Sequence, residues 1–340
     1  MSEAVKKVLI VRFSSFGDVV QSMVAIEAIK SNYPEAEIDF VTRNDYYSLV
    51  KNNPLLSNTY CFDKKSGFRG LLELNKWIKS KKYTHIYDAH NNTRSNLLWA
   101  LGFINRCIQG TRWIQRPKNR WKRFLLFNFK INRFPWPFVL MKSYLAPLAP
   151  LGVSKELPMS KHLYLDSSSK DKAKELCSIF SEYIVLAPSA AWELKRWPIE
   201  YWTQLIKLKP EENFVLLGGP QDDFIEEIRQ AAIETKEDEN RILNLAGKTT
   251  YSESCSVIEG AKTIIGGDSG LTHVGDSFKI KTICLIGAAA FSHPAHSTTH
   301  VLNSQLSCQP CSKDGRGECK NKIYKKCLYD ISPKKVIEVL

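Results

Sequence analysis

The chain has 340 residues, 44% hydrophobic and 24% charged, a globular composition that excludes a disordered or collagen-like protein. No run approaches the ~20 apolar residues of a bilayer span, and the opening Met-Ser-Glu-Ala-Val-Lys-Lys lacks the apolar core of a secretion signal, so a cytoplasmic protein is expected. The formal charge of +13 is unevenly placed: residues 89–155 hold twelve Lys or Arg and no carboxylate.

This length predicts two domains of roughly 150 residues. Residues 8–11 (Val-Leu-Ile-Val) form a short apolar run that reads as a buried strand. The run feeds Arg12-Phe-Ser-Ser-Phe-Gly-Asp-Val-Val20, a turn with one glycine, Gly17, and a carboxylate, Asp18. Nucleotide-binding proteins place a glycine-rich phosphate loop at this point. A helix is predicted from Asp18 to about Ser31, stopped near Pro34. Residues 38–42 read as a second strand, 46–51 as a short helix and 85–88 as a further strand, followed by polar His90-Asn-Asn-Thr-Arg-Ser95. Next, Arg112-Trp113, Arg120-Trp-Lys-Arg-Phe124 and Arg133-Phe-Pro-Trp-Pro-Phe138 interleave cations with aromatics. Such a surface suits phosphates, nucleic acid or an anionic membrane face; a solvated face over core aromatics is the plain alternative.

Polar Asp166-Ser-Ser-Ser169 marks the boundary between a domain over 1–165 and one over 175–330, with a terminal helix over 331–340. Strands are predicted at 183–187, 214–217, 242–245, 263–265 and 282–286, and helices from near Pro198, Asp222, Tyr251 and Leu271. This alternation predicts an α/β protein with two Rossmann-like, doubly wound parallel sheets facing a central cleft, their ligands at the carboxyl ends of the strands.

Three junctions in the second half carry chemistry. Lys195-Arg-Trp-Pro198 sets two cations before a proline-initiated helix, where exposed amides and cations together suit a diphosphate. Leu217-Gly-Gly-Pro-Gln-Asp-Asp223 puts acids where a ribose could be held, although Asp222 reads equally as a helix N-cap. Gly266-Gly-Asp-Ser-Gly-Leu-Thr-His273 combines glycines, which admit a phosphate close to the backbone, with the Ser269 hydroxyl as a donor. Asp268 would cap that helix or orient a donor group. The spacing is not that of a serine-hydrolase nucleophile elbow, because Leu271 stands two residues after Ser269.

Together, Ser14-Ser-Phe-Gly-Asp18, Lys195-Arg-Trp-Pro198, Asn244-Leu-Ala-Gly247 and Asp268-Ser-Gly-Leu-Thr-His273 resemble glycosyltransferase family 9, the bacterial lipopolysaccharide heptosyltransferases. The resemblance covers nearly the whole chain and implies the two-domain GT-B fold. It further implies an inverting transfer from a nucleotide sugar such as ADP-heptose, with no catalytic metal. Carried over by position, Asp18 is the general base and Lys195 contacts the donor diphosphate. Asp222 lies near the ribose, while Asp268, Ser269, Gly270 and His273 line the diphosphate and sugar. Arg196 and Ser189 are added to the donor set, and Ser15 and Gly17 shape the turn that presents Asp18. The chain has no Asp-x-Asp metal clamp, which leaves Lys195, Arg196 and helix amides to stabilise the leaving diphosphate. Ser189, Gly275-Asp276 and Ala288-Ala-Ala-Phe-Ser-His293 depart from the family pattern and put the donor sugar's identity, more than the reaction class, in question.

The acceptor implied is an acidic, lipid-linked saccharide, the lipid A-core, which makes the protein peripheral on the inner face of the inner membrane. Arg94, Arg112, Arg116, Lys118, Arg120, Lys122 and Arg123 are its candidate contacts. No cofactor is required by this reading. Cys308, Cys311, Cys319 and Cys327, spaced Cys-x2-Cys-x7-Cys-x7-Cys, either hold a structural zinc or remain reduced thiols in a loop, and the spacing leaves both open. Two alternatives accompany the heptosyltransferase reading: a relative using another nucleotide sugar for a different surface glycan, and a basic nucleic-acid-binding protein. The second leaves the 195–198 and 268–273 motifs unused, so no nucleic-acid partner is expected.

Overall fold

The computed structural model describes residues 5–159, 161–289 and 292–340. The Ala290 and Phe291 positions of the divergent 288–293 loop lie outside the described residues. The chain divides into two compact units, Met1–Asn119 with Leu140–Leu165 and Arg120–Val139 with Asp166–Leu340.

The first unit is built on β1 (Lys7–Val11), β2 (Glu37–Arg43), β3 (Asn58–Phe62), β4 (His85–Asp88) and β5 (Arg112–Gln115). They form one parallel sheet in the order β3-β2-β1-β4-β5. The second unit carries β6 (Ile184–Ala187), β7 (Phe214–Leu216), β8 (Ile242–Asn244), β9 (Thr263–Gly267), β10 (Lys281–Leu285) and β11 (Thr299–Leu302). These are also parallel, in the order β11-β10-β9-β6-β7-β8. Counted within its own unit, each sheet runs 3-2-1-4-5, and the second adds a sixth strand: the Rossmann order, made twice. Val8, Leu9, Ile10 and Val11 are fully buried, as are residues 184–187 of β6. Strands covered on both faces read as unbroken apolar runs, so these central strands are legible in the sequence.

The helix expected over 18–31 is instead two, Phe16–Ser22 and Val24–Asn32. The Ser22 hydroxyl donates back to the Val19 carbonyl at 2.9 Å, and the Met23 amide is shared between the carbonyls of Val19 and Val20 at 3.3 Å each. Such a competing side-chain bond bends a helix.

Residues 120–139, expected in the first domain, pack with the second unit. After the Arg120–Phe129 helix, the Lys130 ammonium donates to the carbonyls of Cys308 (2.6 Å) and Pro310 (2.7 Å). The His293 amide donates to the Phe138 carbonyl at 2.8 Å, and the Trp136 ring meets the His293 ring edge-on at 5.0 Å. Residues 331–340 do not stand apart either. The Trp197 indole N–H donates to the Ile331 carbonyl at 2.8 Å, and fully buried Val336 joins the core of Ile184, Trp202 and Leu328.

Candidate active site

In an open parallel sheet, ligands sit at the carboxyl ends of the strands where the strand order reverses. In the first unit that point lies between β1 and β4. Arg12 follows β1 directly and spans the gap, its guanidinium donating to the Ala89 carbonyl after β4 at 2.8 Å. The same guanidinium pairs with Asp18 at 2.7 Å. Asp18 Oδ2 also accepts from the Ser15 hydroxyl at 2.8 Å and more weakly from the Ser15 amide at 3.4 Å. Oδ1 accepts from the Tyr144 hydroxyl at 3.0 Å. Asp18 therefore stands in the first helical turn with Ser15 as N-cap, about a third exposed, while Arg12 is almost wholly buried. Burial alone would raise the carboxyl pKa, but Arg12, the Ser15 bond and Arg116 outweigh it and hold Asp18 well below the usual range.

The surroundings are cationic and aromatic. Arg116 lies over the Tyr144 ring at 4.2 Å and donates to the Ser143 hydroxyl at 2.7 Å. Burial and nearby Asp18 push the Tyr144 hydroxyl up to about 12, so it stays protonated and remains a donor. His90 accepts from the Phe13 amide at 3.1 Å. Burial first, then Arg12, Lys118 and Arg94, hold its pKa down to about 3. Arg94, Arg116 and Lys118 thus share the electrostatic surroundings of Asp18. Arg112 does not: it pairs with His85 at the amino end of β4, whereas Gln115 pairs with Asp88 at the carboxyl end. Arg120, Lys122 and Arg123 lie on the Arg120–Phe129 helix of the second unit.

In the second unit the order reverses between β6 and β9. Lys195 ends a single helical turn after β6 and pairs with Asp268, which follows β9, at 2.7 Å. His273 Nε2 lies 3.2 Å from the other Asp268 oxygen. Burial would raise the Asp268 pKa; Lys195 and His273 overcome it and keep the group ionised. Ser269, not Asp268, is the N-cap of the Gly270–Phe278 helix, whose first amides open beside this pair. The tight glycine here makes room for protein. A Cβ on Gly267 would stand 2.7 Å from the Lys195 carbonyl oxygen, so only glycine lets the lysine turn pass this close.

Arg196 turns away from its neighbour. Backbone after the turn is extended at Arg196, which sends adjacent side chains to opposite sides. Its guanidinium donates to the Ala190 carbonyl at 2.9 Å, lies 4.9 Å from the Phe224 ring centre and approaches Asp222 at 3.6 Å. Asp222 also accepts from the Ser189 hydroxyl (2.5 Å) and the Gly219 amide (2.8 Å), and Asp223 holds the N-cap position of the following helix without a side-chain cap bond. Lys195 and Arg196 therefore serve two carboxylates. The Asn244-Leu-Ala-Gly247 motif supports the same loop. Gly247 has a φ of +71°, and a Cβ there would lie 2.8 Å from Pro220 Cα. Of the departures from the family pattern, Asp276 is structural: it accepts from the amides of Ala295 and His296 and from the Thr299 hydroxyl, fixing the approach to β11.

Sequence reasoning missed Arg12 and Tyr144. Arg12 had a local signal, a lone cation at the end of β1, whereas Tyr144 lies 126 residues from Asp18 with nothing in its surroundings to mark it. The late cysteines are free thiols. The Cys319 sulfur accepts from the Lys325 amide at 3.4 Å, and burial with neighbouring thiols pushes Cys327 up to about 12. Among the described residues, no three His, Cys, Asp or Glu side chains converge as a metal site.

Two parallel Rossmann-like units, each with its polar groups gathered where the strand order reverses, define a glycosyltransferase of the GT-B class. The chain belongs to glycosyltransferase family 9 (heptosyltransferase), whose profile matches residues 71–323. It is 25% identical over 289 residues to lipopolysaccharide heptosyltransferase 3 of Escherichia coli K12, covering 80% of each chain. A family 9 glycosyltransferase structure from Veillonella parvula superposes with a TM-score of 0.79 at 21% identity, over 100% of this chain and 97% of that one. The E. coli ADP-heptose lipopolysaccharide heptosyltransferase II structure gives 0.73 at 20% identity, over 98% and 97%.

Proposed function

We propose that this chain transfers heptose from ADP-heptose to a lipopolysaccharide inner-core acceptor, with inversion and without a catalytic metal. The observation that carries the reading is the ionised carboxylate at the first unit's reversal point, beside Arg12 and Arg116, with Lys118 and Arg94 acting on the neighbouring His90. That set suits an acidic saccharide and a proton acceptor in one place. The acceptor hydroxyl attacks the anomeric carbon on the face opposite the diphosphate, and its proton passes to Asp18. The bond from the anomeric carbon to the diphosphate oxygen breaks, and its electron pair leaves with ADP. A strongly acidic carboxyl suffices as base, because the hydroxyl itself becomes acidic as the new bond forms. Lys195 and the first amides of the Gly270–Phe278 helix stabilise the leaving diphosphate, with Asp268 holding Lys195 and His273 in place. Asp222, supported by Ser189 and Arg196, faces the ribose.

The protein acts at the cytoplasmic side of the inner membrane as a peripheral enzyme; among the described residues no helix is long and apolar enough to cross it. Exposed Arg120 and Lys122 beside exposed Trp121 and Phe124 suit the acidic, lipid-linked acceptor. Family membership displaces the nucleic-acid alternative. The test is a thermal-shift panel of ADP-, UDP- and GDP-sugars, followed by turnover with excess chelator and determination of the product anomer. ADP-heptose should stabilise the protein and be used with inversion in chelator. A shift confined to UDP-sugars, or retention of configuration, would overturn the reading.

A further inference from the structure

The first unit has a second polar feature at the amino ends of its strands, away from Asp18. Arg106, on the Phe103–Gln109 helix, is only 7% exposed. Its guanidinium lies 4.9 Å from the Trp113 ring centre and 5.6 Å from that of Trp99. Among the described residues no carboxylate pairs with it and no acceptor takes its side-chain hydrogens. Instead it lines a cavity of about 320 Å³ walled by Trp99, Phe103, Trp113 and Gly110. Burial lowers its pKa, and no carboxylate offsets that effect. The guanidinium is flanked by two tryptophan rings and opens on the cavity, where an anion would offset the cost of its burial.

The surface around the cavity is apolar. Ile104 and Ile108, one helical turn apart, are 75% and 80% exposed, and Phe103 and Trp99 are about half exposed beside them. The Gln109 side-chain amide donates to the Lys79 carbonyl at 3.3 Å, which brings the end of the Gly67–Lys81 helix, where Lys79 and Lys82 are exposed, to this face; Lys81 lies over the Trp77 ring instead. The only carboxylate on that helix, Glu73, pairs with Arg69.

We propose that this face docks on an anionic membrane, with Ile104, Ile108 and Phe103 entering the interface and a headgroup phosphate meeting Arg106. Apolar side chains flanked by lysines match such a surface, whereas a second copy of the chain would oppose lysine to lysine. The proposal rests on the reading that the acceptor is lipid-anchored.

The test is flotation of the full chain with vesicles of phosphatidylcholine alone or mixed with phosphatidylglycerol. Binding should require phosphatidylglycerol and weaken with salt. Ile104→Ser with Ile108→Ser, both exposed and harmless to folding, should lower the partition coefficient roughly tenfold or more, and Arg106→Gln should lower it severalfold. The thermal shift with ADP-heptose should be unchanged in both variants, so a failure of docking is distinguishable from a failure of the transferase reading. Binding by the serine variant within about twofold of the parent, or no vesicle binding by the parent, would overturn the proposal. So would saturation of the Arg106 cavity by inorganic phosphate without vesicle binding, or a dimer abolished by the serine changes.

Discussion

Asp18→Asn keeps the size of the side chain and removes its charge. An amide cannot take the acceptor's proton, and loss of a positioned base costs about 10²–10⁴ in rate, or roughly 3–5 kcal/mol of barrier. The structural cost is smaller. Arg12 is almost wholly buried but Asp18 is about a third exposed. Their pair therefore lies between an exposed one, worth about 0–1 kcal/mol, and a buried one, whose breaking costs about 3–5 kcal/mol. Because Arg12 keeps its bond to the Ala89 carbonyl, we expect a loss of about 1–2 kcal/mol, or roughly 2–8 °C in Tm. The assay is ADP release at saturating donor, well below that Tm, with donor Kd measured separately. The rate should collapse and Kd should hold. Turnover within about threefold of the parent would refute the base assignment and leave Asp18 a helix-capping residue.

Lys195→Gln should raise donor Kd roughly tenfold or more, measured by titration with ADP-heptose, since it removes a cation from the diphosphate and leaves Asp268 without its partner. Gly267→Ala, whose Cβ would meet the Lys195 carbonyl at 2.7 Å, should destabilise by about 1–3 kcal/mol in chemical denaturation and weaken donor binding. Reversing Arg120, Lys122 and Arg123 to Glu should raise the acceptor KM and leave the donor KM alone, as steady-state kinetics would show. His90 is held neutral, with its folded pKa near 3. Its contribution is complete above the unfolded value of about 6.5 and is lost as pH falls towards 3, so denaturation midpoints should begin to drop below about pH 6.5. Asp18 and Asp268, also depressed, add a further loss from about pH 4 downward.

The central strands were readable because burial on both faces left unbroken apolar runs such as Val8-Leu-Ile-Val11. The three strands that sequence reasoning missed, β3, β5 and β11, are all sheet edges. Each has one neighbour and partly exposed faces, so Asn58-Thr-Tyr-Cys-Phe62 and Arg112-Trp-Ile-Gln115 carry no such run. In the site, local motifs announced Asp18, Lys195 and Asp268 but not how charges would be divided among them. That Lys195 takes Asp268 while Arg196 takes Asp222 depends on one extended residue. Partners brought in by topology, Tyr144 for Asp18 and the Lys195 backbone for Gly267, had no trace in local sequence.

The chain's path sets an order of assembly. It enters the second unit at Arg120, returns to the first at Leu140 and leaves for good at Asp166. During synthesis, the aromatic segment at 120–139 emerges long before Cys308 and Pro310, whose carbonyls receive Lys130. Until then, Lys130 and Trp136 lack the Cys308, Pro310 and His293 partners they have in the folded unit, and the aromatic segment is open to holdase chaperones and to aggregation. Cutting the gene at the apparent boundary near residue 165 would strand that segment on the wrong half, so complementation by separately expressed halves should fail there.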